Sequence, residues 1–263
     1  MTFFGTPDKI TMASAWIAAG SLLLGCLALR LAYLKRAGVS LSAKAKLKGM
    51  MVIGVVVLLL GAGSAALRGR TTVSDDYSVY VPAGLQPAQK YPLVVLLSPG
   101  GDANQMIEHW KGVAERFKWI LLASKRFHNG DSPLGVFNDV AALVRENRLK
   151  LPIDEKKIIA SGISGGAMGS HMFVYEHPDL ISGVIANTGM IDKEYATYPN
   201  YPRGKFVAFL ASPTDFRYGD MQGDRRFLEG LGWKTEWIEF QGGHVLAPPS
   251  VYEQAAEWVS RQF

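Results

Sequence analysis

A serine flanked by glycines at the end of an apolar run restricts the architectures open to this chain. Gly162-Ile163-Ser164-Gly165-Gly166 stands where the strand-like run Lys157-Ile158-Ile159-Ala160-Ser161 gives way to the helical pattern of Ala167 to Tyr175. Turning from strand to helix so sharply strains the central backbone, so the positions two before and two after the serine must be nearly free of side chain. The hydroxyl is then left exposed at the edge of a sheet. Among 28 glycines such a match can arise by chance, but the flanking strand and helix supply the context that the motif requires.

The rest of the C-terminal part repeats the same alternation. Tyr77 to Val81, Leu93 to Leu97, Trp119 to Ala123, Lys157 to Ser161, Gly183 to Ala186, Phe206 to Leu210 and Thr235 to Phe240 read as strands. Several are continuously apolar, as strands buried on both faces of a parallel sheet should be. Between them Met106 to Arg116, Val136 to Leu149, Ala167 to Tyr175, Asp220 to Leu231 and Val251 to Arg261 read as helices. The order predicts an α/β fold, a doubly wound, mostly parallel sheet with right-handed crossovers. Thr71 to Asp76 reads as a short polar linker before it.

Residues 1–70 differ in kind. Met12 to Leu34, with Arg30 its single charge, and Gly49 to Leu67, with none, are apolar on every face and run for 23 and 19 residues. About 20 such residues span a bilayer, so both are expected to be transmembrane helices, which makes the lipid bilayer a partner. The segment carries nine basic residues against Asp8 alone, while the remainder carries 19 against 22 acidic ones. The formal charge of +5 therefore belongs to the membrane part, and residues 71–263 have no basic footprint for nucleic acid. Five of the basic residues lie in the connection from Lys35 to Lys48, which the positive-inside rule makes cytoplasmic. Everything after Leu67 is then expected on the periplasmic or extracellular side. Two processing alternatives stay open: lipoprotein-type cleavage before Cys26, and signal-peptide cleavage near Gly63-Ser64-Ala65-Ala66 from a start at Met50. Cys26 is the only cysteine, so no intramolecular disulfide can form.

In a doubly wound sheet, ligands bind at the carboxyl ends of the strands, so the loops there are where chemistry is expected. The loop after Lys157 to Ser161 holds Ser164, the one after Phe206 to Leu210 holds Asp215 with Asp220 just behind, and the one after Thr235 to Phe240 holds Gly242-Gly243-His244. Of five histidines, only His244 follows the last strand. This order of serine, acid and histidine around a G-x-S-x-G elbow resembles the α/β-hydrolase superfamily. Within it, Ser164-Gly165-Gly166-Ala167 and the strand ending in Ser98-Pro99-Gly100-Gly101 are similar to the polyhydroxybutyrate depolymerase and feruloyl-esterase-like group. The resemblance covers residues 76–262.

The resemblance implies a serine hydrolase, with a carboxylesterase acting on a small or polymeric ester as the leading expectation, and the two apolar runs make it a membrane-anchored one. Ser164 would be the nucleophile, His244 the base that takes its proton, and Asp215 or Asp220 the carboxylate that fixes the imidazole tautomer. Either aspartate could instead cap a nearby helix; Asp215, directly beyond the strand end, is preferred. Oxyanion donors are expected at the Gly165 amide and at Gly100 or Gly101, since Pro99 has no N–H. The superfamily commonly has His-Gly where this chain has Ser98-Pro99. An amide or peptide hydrolase of the same fold, and a hydrolase-like binding protein without turnover, are the alternatives. No cofactor is called for, and no residue spacing suggests a metal site or a phosphate-binding loop. Lys125-Arg126 reads as a solvated charge pair, and Trp110, Phe137, Tyr195, Tyr198 and Tyr201 are assigned no role.

Overall fold

Leu93, Val95 and Leu97 face one side of their strand and Val94 and Leu96 the other, and all five are completely buried. A strand apolar on both faces needs cover on both. The computed structural model supplies it; it describes Arg36, which is helical and exposed, and residues 69–263 apart from positions 87, 132, 198 and 199. The two apolar runs at 12–34 and 49–67, Cys26 and the proposed cleavage region lie outside the described residues. Among the described residues no helix is long and apolar enough to cross a membrane.

Eight strands form one sheet: β1 (Arg70–Val73), β2 (Tyr77–Val81), β3 (Tyr91–Leu97), β4 (Ile120–Ser124), β5 (Ile153–Ile163), β6 (Gly183–Asn187), β7 (Phe206–Ala211) and β8 (Lys234–Glu239). Their order is β1-β2-β4-β3-β5-β6-β7-β8. β2 is antiparallel to both neighbours, and every pairing from β4 to β8 is parallel. The helices are α1 (Ala103–Phe117), α2 (Pro133–Lys150), α3 (Gly165–Glu176), α4 (Lys193–Thr197), α5 (Tyr218–Gly230) and α6 (Pro249–Ser260). On one face α1 and α6 bury Met106, Trp110, Val113, Tyr252 and Ala255 against Val94, Leu96, Leu121 and Ile185. On the other, α2, α3 and α5 bury Phe137, Phe173 and Leu228 against Val95, Leu122 and Val184. This is the mostly parallel, doubly wound sheet that the alternation predicts.

Apart from shifts at the ends of elements, two features depart from the sequence reading. The linker expected at Thr71 to Asp76 instead begins with β1, which pairs Thr71 with Tyr80 and Val73 with Ser78. All four β1 side chains are exposed, so the strand is held through its backbone and leaves no apolar pattern to read. The short helix α4 likewise leaves no sequence signal, being too brief for periodicity to register.

Parallel pairing in register brings the carboxyl ends of the central strands to one edge. Leu97 pairs with Gly162, Ile163 with Asn187, Asn187 with Leu210, and Ala211 with Glu239. The loops that carry Ser164, Asp215 and His244 all leave from that edge.

Candidate active site

Ser164 sits at φ 54° and ψ −121°, a conformation that L-residues seldom adopt, immediately before α3. Its N–H donates to the Asn187 carbonyl at 2.9 Å, and its own carbonyl accepts from Ala167 and Met168 at 3.0 Å. The glycines around it are needed for close approach. A Cβ on Gly162 would lie 2.3 Å from the Gly166 carbonyl carbon, and one on Gly166 would lie 2.2 Å from the Leu97 carbonyl oxygen. The elbow thus presses directly on β3, with no room for a methyl group on either residue.

His244 lies between the serine and an aspartate. Its Nδ1 is 2.7 Å from Asp215 Oδ2 and its Nε2 is 2.8 Å from Ser164 Oγ. An ionised carboxylate only accepts, so Nδ1 carries the proton and donates it to Asp215, which leaves Nε2 as the acceptor of the Ser164 hydroxyl. The Asp215 side chain is fully buried and that of His244 is 29% exposed. Asp215 Oδ1 accepts the Arg217 backbone N–H at 2.6 Å, so both carboxylate oxygens are engaged. Asp220, the competing acid, pairs with the Arg217 guanidinium at 3.3 Å. Buried Ser212 accepts the Gly243 N–H at 2.9 Å through its hydroxyl, which ties the histidine loop to the end of β7.

Three further residues, not singled out from the sequence, hold this arrangement. The Asn187 carboxamide donates to the Val245 carbonyl at 3.2 Å and accepts from the Ala247 N–H at 2.8 Å and the Tyr252 hydroxyl at 2.7 Å. His109 on α1 meets the Ala247 carbonyl through Nε2 at 2.8 Å, necessarily as the donor. Phe216 is 70% exposed and lays its ring 4.5 Å from the His244 ring. Asparagine after a strand ordinarily signals a turn, which is why Asn187 carried no distinctive signal.

The expected oxyanion residues divide. Gly165 is the first residue of α3, where an N–H has no intrahelical acceptor, and it lines the cavity of about 210 Å³ that opens at Ser164. Gly100 and Gly101 are not among the residues that line it. The Gly101 N–H closes a turn on the Ser98 carbonyl at 3.2 Å, and the Ser98 hydroxyl accepts from Asp102 at 3.1 Å and, more distantly, from Gly100 at 3.4 Å. Asn129, from the loop after β4, lies against Gly165 instead, its Oδ1 1.8 Å from where a Cβ would be. A smaller recess of about 70 Å³, lined by Phe127, Phe137, Met168 and Met172 together with His128 and Asp131, adjoins the cavity across Asn129 and Gly165.

The remaining sequence candidates lie elsewhere. Lys125 bonds the Ser74 carbonyl, and Arg126 pairs with Asp76 and Asp139 at 3.0 and 2.7 Å. Trp110 and Tyr201 are core residues; Tyr198 and the Tyr195 side chain are outside the described set. Among the described residues no cluster of three or more His, Cys, Asp or Glu could hold a metal ion.

No protein-family model and no curated protein matches the chain. Solved structures do. A thermostable esterase is 21% identical with a TM-score of 0.53, over 73% of this chain and 62% of that one. The fluorophosphonate-binding serine hydrolase F of Staphylococcus aureus is 11% identical with a TM-score of 0.57, over 74% and 98%. The acylaminoacyl peptidase of Pyrococcus horikoshii is 16% identical with a TM-score of 0.54, over 74% and 41%. The chain therefore spans less than two thirds of the esterase and of the peptidase. At such identities the likeness carries the fold and nothing finer. With its eight-stranded, mostly parallel sheet and helices on both faces, the chain has an α/β-hydrolase fold.

Proposed function

We propose that the protein is a serine hydrolase that cleaves a carboxylic ester through an acyl-enzyme on Ser164. The observation that carries this reading is the line of hydrogen bonds from Ser164 through His244 to Asp215, side chains from three separate loops. The esterases and serine hydrolase among the fold neighbours agree with it. A serine hydroxyl is a weak nucleophile at neutral pH, and His244 Nε2 is placed to take its proton as the oxygen attacks the ester carbonyl. The buried Asp215 carboxylate holds the tautomer and stabilises the imidazolium. That imidazolium then protonates the departing alkoxide, and a water deprotonated by His244 releases the acid and restores Ser164. The Gly165 N–H serves the developing oxyanion; of the two glycines expected to give a second donor, Gly100 has the freer N–H, its acceptor Ser98 Oγ lying 3.4 Å away, but it stands outside the residues that line the cavity. Similarity to the depolymerase and feruloyl-esterase-like group rests on the Ser164 and Ser98 motifs alone. An amide substrate is the second reading, since a peptidase shares the fold.

The test uses the full-length chain in detergent, treated with a fluorophosphonate and mapped by mass spectrometry. The adduct is expected on Ser164, and to form at least about 10²-fold more slowly in His244→Ala. Ser164→Ala is expected to lower ester turnover by about 10⁴-fold or more. An unlabelled but folded wild type, or unchanged turnover in Ser164→Ala, overturns the reading. Matched ester and amide substrates then separate the two chemistries.

We also propose that residues 1–70 anchor the protein through two helices, with the catalytic unit on the periplasmic or extracellular side. The support is the two charge-poor runs and the basic connection between them. A reporter fused after Arg70 is expected to be active only outside the cytoplasm; activity inside reverses the orientation.

A further inference from the structure

The cavity at Ser164 is lined by one charged residue, the cation Arg217, and by no aspartate or glutamate among the described residues. Its backbone N–H is fixed on Asp215, so the Cα is anchored beside the hydrogen-bonded line. The guanidinium stands 5.1 Å from the Phe216 ring centre, and that same ring lies against His244. Among the described residues Nη1 is its one bonded atom, sharing Asp220 Oδ2 at 3.3 Å and Met190 Sδ at 3.5 Å. The Asp220 contact is single, long and more than a third exposed on both sides, the kind of ion pair that is held weakly. A carboxylate that enters the cavity can make two parallel charge-assisted bonds to the guanidinium fork, a geometry that Asp220 does not satisfy. Met168, Met190 and Phe216 give an apolar wall for the carbons between such a carboxylate and the reacting carbonyl.

Resting on the serine-hydrolase reading, we propose that Arg217 selects substrates and that the preferred ester carries a carboxylate, in either its acyl or its alcohol part. The surroundings of Ser164 are then those of an esterase for half-esters or for esters of acidic alcohols. Arg217 recognises the anion and takes no part in proton transfer.

Two matched pairs of esters test this with the full-length chain: phenyl monoglutarate against phenyl pentanoate, and 4-acetoxybenzoate against phenyl acetate. The first pair places the charge in the acyl part, the second in the leaving group. In at least one pair the anionic member is expected to have the higher kcat/KM, by about 10-fold or more, expressed mainly in KM. Arg217→Gln removes that preference while keeping the backbone N–H to Asp215, and Arg217→Lys retains part of it. Should Arg217→Gln not fold, Asp220→Asn supplies the reading instead: loss of the competing carboxylate raises the anionic-to-neutral ratio about 3-fold or more. A neutral preference in both pairs, or a ratio that these variants leave unchanged, overturns the proposal even where Ser164 labels with a fluorophosphonate. Absence of both labelling and turnover overturns the hydrolase reading and this proposal with it.

Discussion

Asn187 joins two loops through one residue. Its backbone carbonyl accepts the Ser164 N–H, and its fully buried carboxamide grips the chain on the far side of His244 at Val245 and Ala247. Truncation to alanine leaves the Ala247 N–H and the Tyr252 hydroxyl without their acceptor, at a cost of about 1–3 kcal/mol for each buried group. Asn187→Ala is therefore expected to lower Tm and, in the protein that remains folded, to slow fluorophosphonate labelling of Ser164 by about 10-fold or more. Tyr252→Phe deletes a donor but keeps both bonds to the His244 loop, so it should lower Tm with labelling within about 3-fold of wild type. Equal labelling in Asn187→Ala would reduce the residue to a purely structural support. Asp215 shows how far the sequence reached at this scale. Its place beyond β7 was legible from strand order, but its preference over Asp220 rested on chain distance alone. The contact with His244 exists because a turn, closed by the Asp215 N–H on the Ser212 carbonyl at 2.9 Å, folds the carboxylate back over the strand end.

Elements with an apolar face were legible, and those without one were not. β4 is Ile120-Leu121-Leu122-Ala123-Ser124, buried throughout, and its run predicts it to within a residue at each end. β5 is longer than its apolar run because Asp154, Glu155 and Lys156 extend it while partly or wholly exposed. β1 was missed for the same reason: its pairing is made by main-chain groups, which every sequence possesses. The junction of β5 and α3 was the most legible element boundary, because its steric demand falls on single residues. Gly162 and Gly166 have no space for a Cβ, and that requirement is written directly in the sequence.

Across the whole molecule, two titratable side chains without a role in the proposed chemistry link stability to pH. His171 on α3 is completely buried, and neither ring nitrogen has a partner among the described residues. Burial pushes its pKa down to about 3, so its contribution to stability is complete above the ordinary value of 6.5 and is lost as pH falls toward 3. Asp224 is pushed up to about 7, chiefly by burial and against the Ile191 N–H bond that favours its charged form. Its contribution is complete below 3.8 and lost as pH rises through 7. Thermal melts between pH 4 and 8 should therefore show His171→Leu flattening the acid limb, and Asp224→Asn gaining on the order of 5 °C near pH 8 but little near pH 4. Profiles parallel to wild type would show that neither group is linked to folding. The sequence by itself determined the alternation of strands and helices, the strained turn at Ser164 and the loops that hold Asp215 and His244, because periodicity and turn sterics act over a few neighbouring residues. Only the tertiary structure decided which aspartate meets the histidine, that Asn187 clamps both loops, and that Arg217 lines the cavity. Those outcomes depend on parallel register across the sheet, which sets distances between residues 29 to 80 positions apart and which no local pattern records.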